Sequence, residues 1–531
     1  MMTLDRRQML AATLGAFATM PLIARHGSAQ DAGALRVGLG APNTSIDPHA
    51  ANNVPNNAVN AHIFESLVVN DPASRPVPGL AASWRPIDDT RWEFKLHDGI
   101  TFSDGSPLTL EDIQVSVQRA TDLPSPSSFR NYTRTIKSVS SGGTPNTIII
   151  ETNAPDPILP NSLTRLRIIR ATFKDASSAD FNSGKAAIGT GPYLLDSFTN
   201  GSQTLLKRND AYWGAKAPWA TVTLRVLTDD GARVAGLLAG DLDLIDAVPT
   251  EGERLIKGND ALHLVTGVSS RFVFMAMDQE RDVTPFATGH DGRPLEKNPF
   301  KDERVRRAIG MAINRGAIVE RIMGGNALVA TQFLPKGGFG TSDAIAGATY
   351  DPAKAKALLA EAGYPNGFKL TLHGPNDRYV NDAKVIQAVA QMLARIGIAS
   401  TVEVLPWSVY SGRVSAAEFS FMLGAWGVNT GETSNPLVAL SLTYDKKAGT
   451  GASNYGRYSN PRLDALVKEA TSTLDDAKRA SLLGQASEIV FNGNALIPLH
   501  HEGVSWGAKR SVDYTARADQ YTMALAATPR A

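Results

Sequence analysis

The chain has 531 residues, enough for about two to four domains of ordinary size. Its 53 basic and 52 acidic side chains leave a formal net charge of +1, so we expect no nucleic-acid partner. It contains no cysteine, which excludes disulfides, thiolate nucleophiles and cysteine-ligated zinc.

Residues 1–29 have the order of a secretory signal peptide. Arg6 and Arg7 precede an apolar stretch over 9–24, and small residues follow at 27–29. The paired arginines resemble a twin-arginine export signal, and the apolar stretch is shorter than the ~20 residues that a membrane span needs. We therefore expect cleavage after Ala29 and a periplasmic mature protein.

Behind this segment, apolar periodicity predicts alternating strands and helices. In the first half, we predict strands over 35–39, 84–96 and 147–152, and helices over 56–69 and 110–120. This alternation is typical of α/β domains.

Capping residues and prolines mark the helices of the second half. Asp302 can cap a helix that ends at Gly324. Asp351 and Pro352 begin another, and Gly363 ends it. The remaining predicted elements are a helix over 383–396, a strand over 398–405 and a helix beginning at 461.

Catalytic motifs are incomplete along the chain. Residues 503–507 fit the G-x-S-x-G turn of α/β-hydrolases around Ser505, but no histidine follows His501 to complete the triad in that order. His500, His501 and Glu502 lack the second histidine that a zinc-binding helix places three residues after its glutamate. We expect no catalytic residue, no metal ligand and no cofactor. An exported serine hydrolase acting through Ser505 is the alternative.

Short motifs recur in order along nearly the whole mature chain. They occupy residues 78–84, 92–99, 101–112, 190–193, 208–214, 240–243, 299–309, 312–315, 357–365, 458–461 and 497–499. Together they resemble the family 5 solute-binding proteins of ABC importers, which include peptide, nickel and glutathione binders. The resemblance implies an α/β fold of two lobes that close by a hinge, with an additional appended domain.

The resemblance also implies domain boundaries and partners. Lobe I would comprise residues 31–62, 189–270 and 497–531, the appended domain II residues 63–188, and lobe III residues 271–496. The expected partners of the monomer are a small or peptide-like ligand and ABC permease subunits with cytoplasmic ATPases. A binding protein that serves chemoreception or chaperoning without transport is a further alternative.

The resemblance implies ligand contacts from the first lobe and from the appended domain. Asn53 and Val54 correspond to a strand that pairs with the ligand backbone in peptide binders. From the appended domain, Phe129, Arg130 and Asn131 are candidate contacts.

Lobe III supplies the other candidates. Trp407 and Trp426 match two tryptophans near the pocket, and Arg378 and Tyr379 lie in a loop that meets the ligand in family members. The Arg378 guanidinium is suited to clamp a carboxylate with two hydrogen bonds.

One position departs from the pattern of the peptide binders. Many of them have an aspartate three residues after the second tryptophan, which neutralises the ligand's α-ammonium, and Asn429 stands there in this chain. An amide offers hydrogen bonds but no net charge. Ordinary peptides with free amino termini are therefore in doubt as ligands, unless Glu432 supplies the missing charge.

Overall fold

The computed structural model describes residues 33–124 and 129–530. The predicted signal peptide and its cleavage site lie outside the described residues. Within these two ranges, no helix combines the length and the hydropathy that a membrane crossing requires.

Strands are distributed along the whole described chain. They are β1 (Ala34–Leu39), β2 (Val68–Asn70), β3 (Pro76–Pro78), β4 (Ala81–Pro86), β5 (Arg91–Leu96), β6 (Ile136–Ser141), β7 (Thr147–Thr152), β8 (Tyr193–Thr199), β9 (Gln203–Arg208), β10 (Thr221–Val226), β11 (Leu244–Ile245), β12 (Leu262–Met277), β13 (Ala287–Thr288), β14 (Ala327–Val329), β15 (Phe368–Pro375), β16 (Ile398–Leu405), β17 (Phe421–Gly427), β18 (Leu496–Lys509), β19 (Val512–Tyr514) and β20 (Ala527–Pro529).

Helices are longer in the second half. They are α1 (Val54–Asn60), α2 (Leu110–Asp122), α3 (Arg130–Thr133), α4 (Leu159–Leu163), α5 (Ser178–Asn182), α6 (Asp230–Leu238), α7 (Thr250–Lys257), α8 (Glu303–Ala312), α9 (Arg315–Ala317), α10 (Pro352–Glu361), α11 (Asp382–Ala394), α12 (Trp407–Ser415), α13 (Ser434–Leu440), α14 (Pro461–Ala470) and α15 (Asp476–Asn492). Short 3-10 turns lie at Ala171–Phe173, Pro299–Lys301 and Ala524–Ala526, and a π-turn lies at Ile318–Ile322.

Most of the predicted elements are confirmed. Strand β16 has the predicted bounds, and β1 and β7 agree closely with prediction. Helices α10 and α14 begin where their capping residues and prolines predicted, and α2 and α11 begin within one residue of the predicted start. In α2, α10 and α14, the side chain before the helix accepts a hydrogen bond from a free backbone N–H. In α2, Thr109 and Asp112 cap each other reciprocally.

Three predicted elements are wrong in extent. The strand over 84–96 is the hairpin β4–β5, and the helix from Asp302 stops at Ala312, after which Asn314 caps the short α9. The helix over 56–69 ends at Asn60, because the carbonyls of His62 and Ile63 accept hydrogen bonds from Tyr193 and Gly191 instead of continuing the helix.

A glycine makes this last contact possible. A Cβ at Gly191 would lie 2.6 Å from the carbonyl oxygens of both His62 and Ile63, so only glycine allows the two backbones to approach. The motif at 190–193 therefore has a structural role in fixing where the first helix ends.

The strands form one large sheet and three smaller ones. The large sheet has the order β13-β15-β17-β12-β18-β11-β1-β10-β9-β8, with β14 added to β18 and β16 added to β15. A four-stranded sheet, β4-β5-β7-β6, and the hairpins β2–β3 and β19–β20 complete the set. Separate hydrophobic cores lie under β1 and β8–β10, within the four-stranded unit, and on both faces of β12 and β17.

Two long strands join the halves of the large sheet. The beginning of β12 pairs with the end of β18, from Leu262 opposite Lys509 to Val268 opposite Gly503. The register then shifts and regular pairing resumes at Phe272 opposite His501. Residues 269–271 are therefore an irregular break at the boundary between the two halves, where a hinge motion needs the least loss of hydrogen bonds.

A buried ion pair locks the first segment of the chain to α2. Arg119 donates to both oxygens of Asp47 at 2.7 Å each, and Ser178 donates to the same carboxylate at 2.9 Å. Burial raises the pKa of Asp47, but the hydrogen bonds and charge of Arg119 lower it further, and the net shift is downward. The carboxylate therefore stays ionised and stabilises the folded state.

We predict that Asp47→Asn lowers the free energy of unfolding by ~3–5 kcal/mol at pH 7, because it leaves a buried guanidinium without its counter-charge. Since the folded pKa is depressed, the stabilisation is present above the unfolded pKa of about 3.9 and is lost as the pH falls through the folded value. Guanidinium chloride unfolding measures the free energy of unfolding of Asp47→Asn and of the unsubstituted protein at pH 7 and pH 3. The difference between the two proteins should be smaller at pH 3. Asp210→Asn, at a carboxylate that is 68% exposed beside Arg208, is the control and should leave the midpoint unchanged. Equal effects of the two substitutions would contradict the prediction.

Candidate functional site

Three neighbouring strands of the second half end at the same edge of the sheet. Strand β15 runs parallel to both β16 and β17, so their carboxyl ends lie side by side. Open α/β sheets bind ligands in the crevice outside these ends. The predicted site residues at or just beyond the ends of the three strands are Arg378, Tyr379, Trp407, Trp426 and Asn429, and the structure brings them to this one edge.

Arg378 presents a positive charge at the edge. Its guanidinium lies over the ring of Trp407, 5.2 Å from the centroid, which holds the cation against an aromatic face. The backbone N–H groups of Arg378 and Tyr379 both donate to Asp382 at 3.0 Å, which fixes the loop. Burial, together with the neighbouring Arg271, lowers the pKa of Arg378. No ion pair joins the Arg378 side chain to a carboxylate of the described residues.

A second arginine at this edge already has a counter-charge. Arg271, at the break in β12, pairs with Glu502 of β18 at 3.3 Å and lies over the ring of Tyr379 at 5.9 Å. Glu502 also accepts hydrogen bonds from the backbone of Val380 at 2.9 Å and from Gln520 at 3.2 Å. The buried carboxylate of Glu502 in β18 therefore contacts β12, the loop after β15 and the C-terminal segment.

Sequence reasoning missed this cluster. Glu502 was considered only as a metal ligand beside the two histidines, and Arg271 and Gln520 were not considered. The one available signal was Arg271 itself, a charge directly before the apolar run 272–277. Its partner is more than two hundred residues away, so spacing alone does not reveal the pair.

Asn429 lies beside the break in β12. Its side-chain oxygen accepts a hydrogen bond from Ser270 at 3.3 Å, and the backbone N–H of Val428 donates to the carbonyl of Ser270 at 2.8 Å. Trp426, at the end of β17, donates its indole N–H to Asn435 at 2.7 Å. Trp426 is half-buried and packs against a hydrophobic core, so its contact with ligand stays a prediction.

Glu432 is buried and its charge is neutralised within the protein. Its side chain is 3% exposed, forms an ion pair with Arg479 and accepts a hydrogen bond from Ser434. Arg479 also pairs with Asp476 at 2.9 Å. Burial raises the pKa of Glu432. This arrangement argues against Glu432 as the partner of a ligand ammonium, so the site has no spare negative charge at that position.

The first-lobe candidates Asn53 and Val54 adopt a different backbone conformation from the strand that the resemblance implied. Asn53 caps α1 by accepting from the backbone N–H of Asn56 at 3.0 Å, and Val54 is the first residue of that helix. The expected strand is therefore wrong for these two residues, because an asparagine cap followed by Pro55 favours a helix start. Their contact with ligand stays a prediction.

The candidates from the appended domain are divided between core and surface. Phe129 is 1% exposed and packs into the core of the four-stranded unit, with its ring 6.1 Å from that of His49. Arg130 and Asn131 begin α3 and are exposed. The structure thus favours a packing role for Phe129, and a ligand role for the other two stays a prediction.

A cavity of about 1080 Å³ adjoins this edge. It is lined by the turn between β2 and β3, by residues of β4 and β5, by residues 267–270 of β12, by the loop 334–339 and by Val428, Gly431 and Glu432, which follow β17. Of the predicted site residues, Glu432 is among those that line it. It is as large as the cavities that hold drug-sized ligands, which span about 300–1,000 Å³.

Comparison with known proteins agrees with this geometry. Residues 75–448 match the family described as bacterial extracellular solute-binding proteins, family 5 (middle). The chain belongs to this family. The glutathione-binding protein GsiB of Escherichia coli K12 is 27% identical over 470 residues, covering 87% of this family 5 chain and 88% of GsiB.

Solved structures share the fold of this family 5 chain. HbpA2 from Haemophilus parasuis has a TM-score of 0.80 at 22% identity, covering 94% of this chain and 100% of that one. The unliganded open form of the murein tripeptide-binding protein MppA has a TM-score of 0.77 at 22% identity. The match covers 94% of this chain and 98% of MppA. The predicted two-lobed periplasmic-binding-protein fold is confirmed.

Ser505 of this family 5 protein does not lie in a nucleophile elbow. It is in the middle of β18, is 6% exposed, and donates to the carbonyl of Val248 at 3.1 Å, whereas the elbow is a sharp turn between strand and helix. Burial lowers the pKa of His500 and His501 to about 4. The described residues contain no group of three or more side chains suited to hold a metal ion.

We predict that Glu432→Gln destabilises the protein by ~3 kcal/mol, because the substitution removes the buried carboxylate of Arg479 and leaves it only the exposed carboxylate of Asp476. Chemical unfolding of ligand-free protein measures the loss. Glu280→Gln, at an exposed glutamate, is the matched control and should leave the unfolding midpoint unchanged. If Glu432→Gln unfolds like the unsubstituted protein, the carboxylate is not a structural partner of Arg479 and is free for a ligand.

Proposed function

We propose that this family 5 protein captures an anionic, peptide-like solute between its two lobes in the periplasm and delivers it to the permease of an ABC importer. Membership of the family supports the solute-binding role. Relatives are named for binding glutathione, and the DppA structure from Helicobacter pylori, at 22% identity, holds the peptide STSA. These names favour a peptide-like ligand.

The observation that carries the proposal is a guanidinium without an ion pair at the carboxyl ends of β15–β17. Arg271 pairs with Glu502, whereas the Arg378 guanidinium lies on the ring of Trp407. The two carboxylates of its own loop, Asp377 and Asp382, accept hydrogen bonds from backbone N–H groups. An arginine side chain in this state favours a ligand with a carboxylate near Arg378, and the uncharged Asn429 disfavours one with an ammonium near it.

Coulomb attraction at this site is large enough to decide between ligands. Two unit charges ~4 Å apart at an effective dielectric constant of ~20 attract by roughly 4 kcal/mol before desolvation. A carboxylate gains this at Arg378, and a ligand ammonium finds no equivalent at Asn429. The charge pattern therefore favours solutes of net negative charge.

Closure of the lobes would couple binding to delivery. A ligand shifts a two-state protein only by as much as it binds one state better than the other, so the solute must contact both lobes when they close. The break at 269–271 lies between the halves of the sheet, next to Arg271 and Asn429, so ligand contacts at the edge would act directly on the hinge.

The proposal includes the domain boundaries that the resemblance implied. We propose lobe I over 31–62, 189–270 and 497–531, the appended domain over 63–188 and lobe III over 271–496. The break in β12 supports the boundary after residue 270, and the separate four-stranded sheet supports the appended domain. We further propose that residues 1–29 are a cleaved export signal and that the mature protein is a monomer.

We predict that Arg378→Ala weakens binding of acetyl-diglycine by roughly 10–100-fold, because hydrogen bonds to a charged group contribute ~1.5–3 kcal/mol. Arg378→Lys should retain part of the affinity, since the charge remains without the planar fork. Diglycine amide, which has no carboxylate, should bind weakly, and its affinity should change little when Arg378 is substituted. Isothermal titration calorimetry on protein freed of co-purified ligand measures the affinity for both probes. Arg462→Ala, at an exposed arginine of α14, is the control. Equal losses for the two probes would contradict an anion site at Arg378.

A further inference from the structure

The loop that follows β17 contacts the appended domain. The side-chain amide of Asn161, in α4, donates to the backbone carbonyl of Thr430 at 2.7 Å. One residue later, Gly431 lies against the backbone carbonyl of Ser74, in the turn between β2 and β3. Leu474, from the turn between α14 and α15, packs against the hydrophobic core of the four-stranded unit. These contacts join the proposed lobe III directly to the appended domain.

The approach of Gly431 to Ser74 requires a glycine. The φ of Gly431 is +72°, in the left-handed region, and a Cβ there would lie 2.5 Å from the carbonyl oxygen of Ser74. Non-bonded heavy atoms pack at about 3.5–4.0 Å, so a side chain at this position would force the two backbones apart. Glycine therefore permits an approach that no other residue allows.

Both surfaces of this contact are fixed by hydrogen bonds. In the β2–β3 turn, the Asp71 carboxylate accepts from two backbone N–H groups at 2.9 Å each, and the N–H of Ser74 donates to the Asp71 carbonyl at 3.0 Å. In the loop after β17, the N–H of Gly431 donates to the carbonyl of Val428 at 3.1 Å. Two preformed backbone surfaces therefore meet at this point.

Hydrogen bonds also connect the contact to the break in β12. Ser270, within the break, donates its N–H to the carbonyl of Ala518 at 2.8 Å, and its own carbonyl accepts from the N–H of Val428 at 2.8 Å. Ala518 in turn donates to the carbonyl of Pro72, in the β2–β3 turn, at 2.8 Å. The break, the loop after β17 and the appended domain therefore form a closed ring, which the contact at Gly431 completes.

The position of the contact gives it leverage over the lobes. Because the ring includes the break, Gly431 lies near the place about which lobe III would rotate. A small displacement at such a place corresponds to a larger displacement at the far end of the lobe. Packed backbones compress little, so rotation toward the appended domain ends where the two backbones meet.

We infer that the appended domain is the stop against which lobe III closes. Gly431 sets how far closure proceeds, because it lets the loop after β17 reach Ser74. Asn161 holds the closed arrangement through its hydrogen bond to Thr430. The same loop carries Asn429, so Gly431 and Asn161 act as positioning residues for the candidate site. This inference rests on the closure of the lobes in the proposed function and gives the appended domain a part in it.

The distance between two spin labels tests the inference. The chain contains no cysteine, so Ser140→Cys in the appended domain and Ala357→Cys in α10, both at exposed positions, are labelled specifically. Pulsed electron paramagnetic resonance measures their separation with and without acetyl-diglycine. We expect Gly431→Ala to lengthen it in both samples, because the added methyl group holds the backbones apart. Acetyl-diglycine should bind to this variant at least about 10-fold more weakly, because the fully closed state is less populated.

Gly449→Ala is the matched control for Gly431→Ala. Gly449 has a similar left-handed backbone, with a φ of +74°, but no atom of the described residues lies within 4 Å of an added Cβ. The substitution therefore imposes similar backbone strain without a collision, and it should leave the label distance and the affinity unchanged. Equal effects of the two substitutions would make strain the cause and would overturn the inference.

Asn161→Ala removes the hydrogen bond to Thr430 without adding an atom. We expect the affinity for acetyl-diglycine to fall by about 3–10-fold, as for the loss of one hydrogen bond, and the label distances in the ligand-free sample to spread toward longer values. Asn153→Ala is the control, because the Asn153 amide donates to the carbonyl of Arg134 within the appended domain, at 3.5 Å. It should change neither quantity.

The outcomes separate this inference from the proposed function. If the label distance of Gly431→Ala equals that of the unsubstituted protein in both samples, the appended domain is not a stop. If Gly431→Ala weakens binding without changing the label distance, Gly431 contacts the ligand itself, and the inference is again overturned. If acetyl-diglycine binds to none of the proteins, the proposed ligand class is overturned, and the label distances of the ligand-free samples decide the inference alone.

Discussion

The structure depends on the two long strands that its lobes share. Strands β12 and β18 are paired on both sides of the break at 269–271, so each half of the large sheet is completed by the same two segments of chain. Neither half can rotate without bending these strands, and the break is the place where bending disrupts least pairing. Arg271 and Glu502 face each other across this place and link it to the loop after β15 and to the C-terminal segment. Hinge and candidate site are therefore parts of one continuous structure.

The proposed ligand class depends on the charges of the candidate site. Most acids and bases of the cleft neutralise each other: Glu502 pairs with Arg271, and Glu432 pairs with Arg479. Arg378 is left with an aromatic ring instead of a carboxylate, and Asn429 contributes no charge. A protein built to hold a zwitterionic peptide would need opposite charges at the two ends of its ligand. This one offers a cation at one end and an uncharged amide at the other, which is the reason for proposing an anionic solute.

Much of this arrangement could be predicted from the sequence, because it follows from local rules and from resemblance. Residues Arg378, Trp407 and Asn429 each follow an apolar strand, and parallel strands bring their carboxyl ends together. The caps at Thr109 and Asp351 likewise act on their own helices. What could not be predicted depends on contacts between distant segments. The Arg271–Glu502 pair and the cavity arise from chain segments that no local pattern relates, and Asn53 follows its own capping preference instead of the strand that resemblance implied.

The account's central claim is that an anionic solute bound at the ends of β15–β17 closes the two lobes about the break in β12 and β18. The most direct test is the radius of gyration from small-angle X-ray scattering, measured on the ligand-free protein and on the same protein saturated with acetyl-diglycine, with saturation verified by calorimetry. The account predicts a smaller radius in the saturated sample and no change for Arg378→Ala at the same probe concentration. An unchanged radius at verified saturation would contradict it.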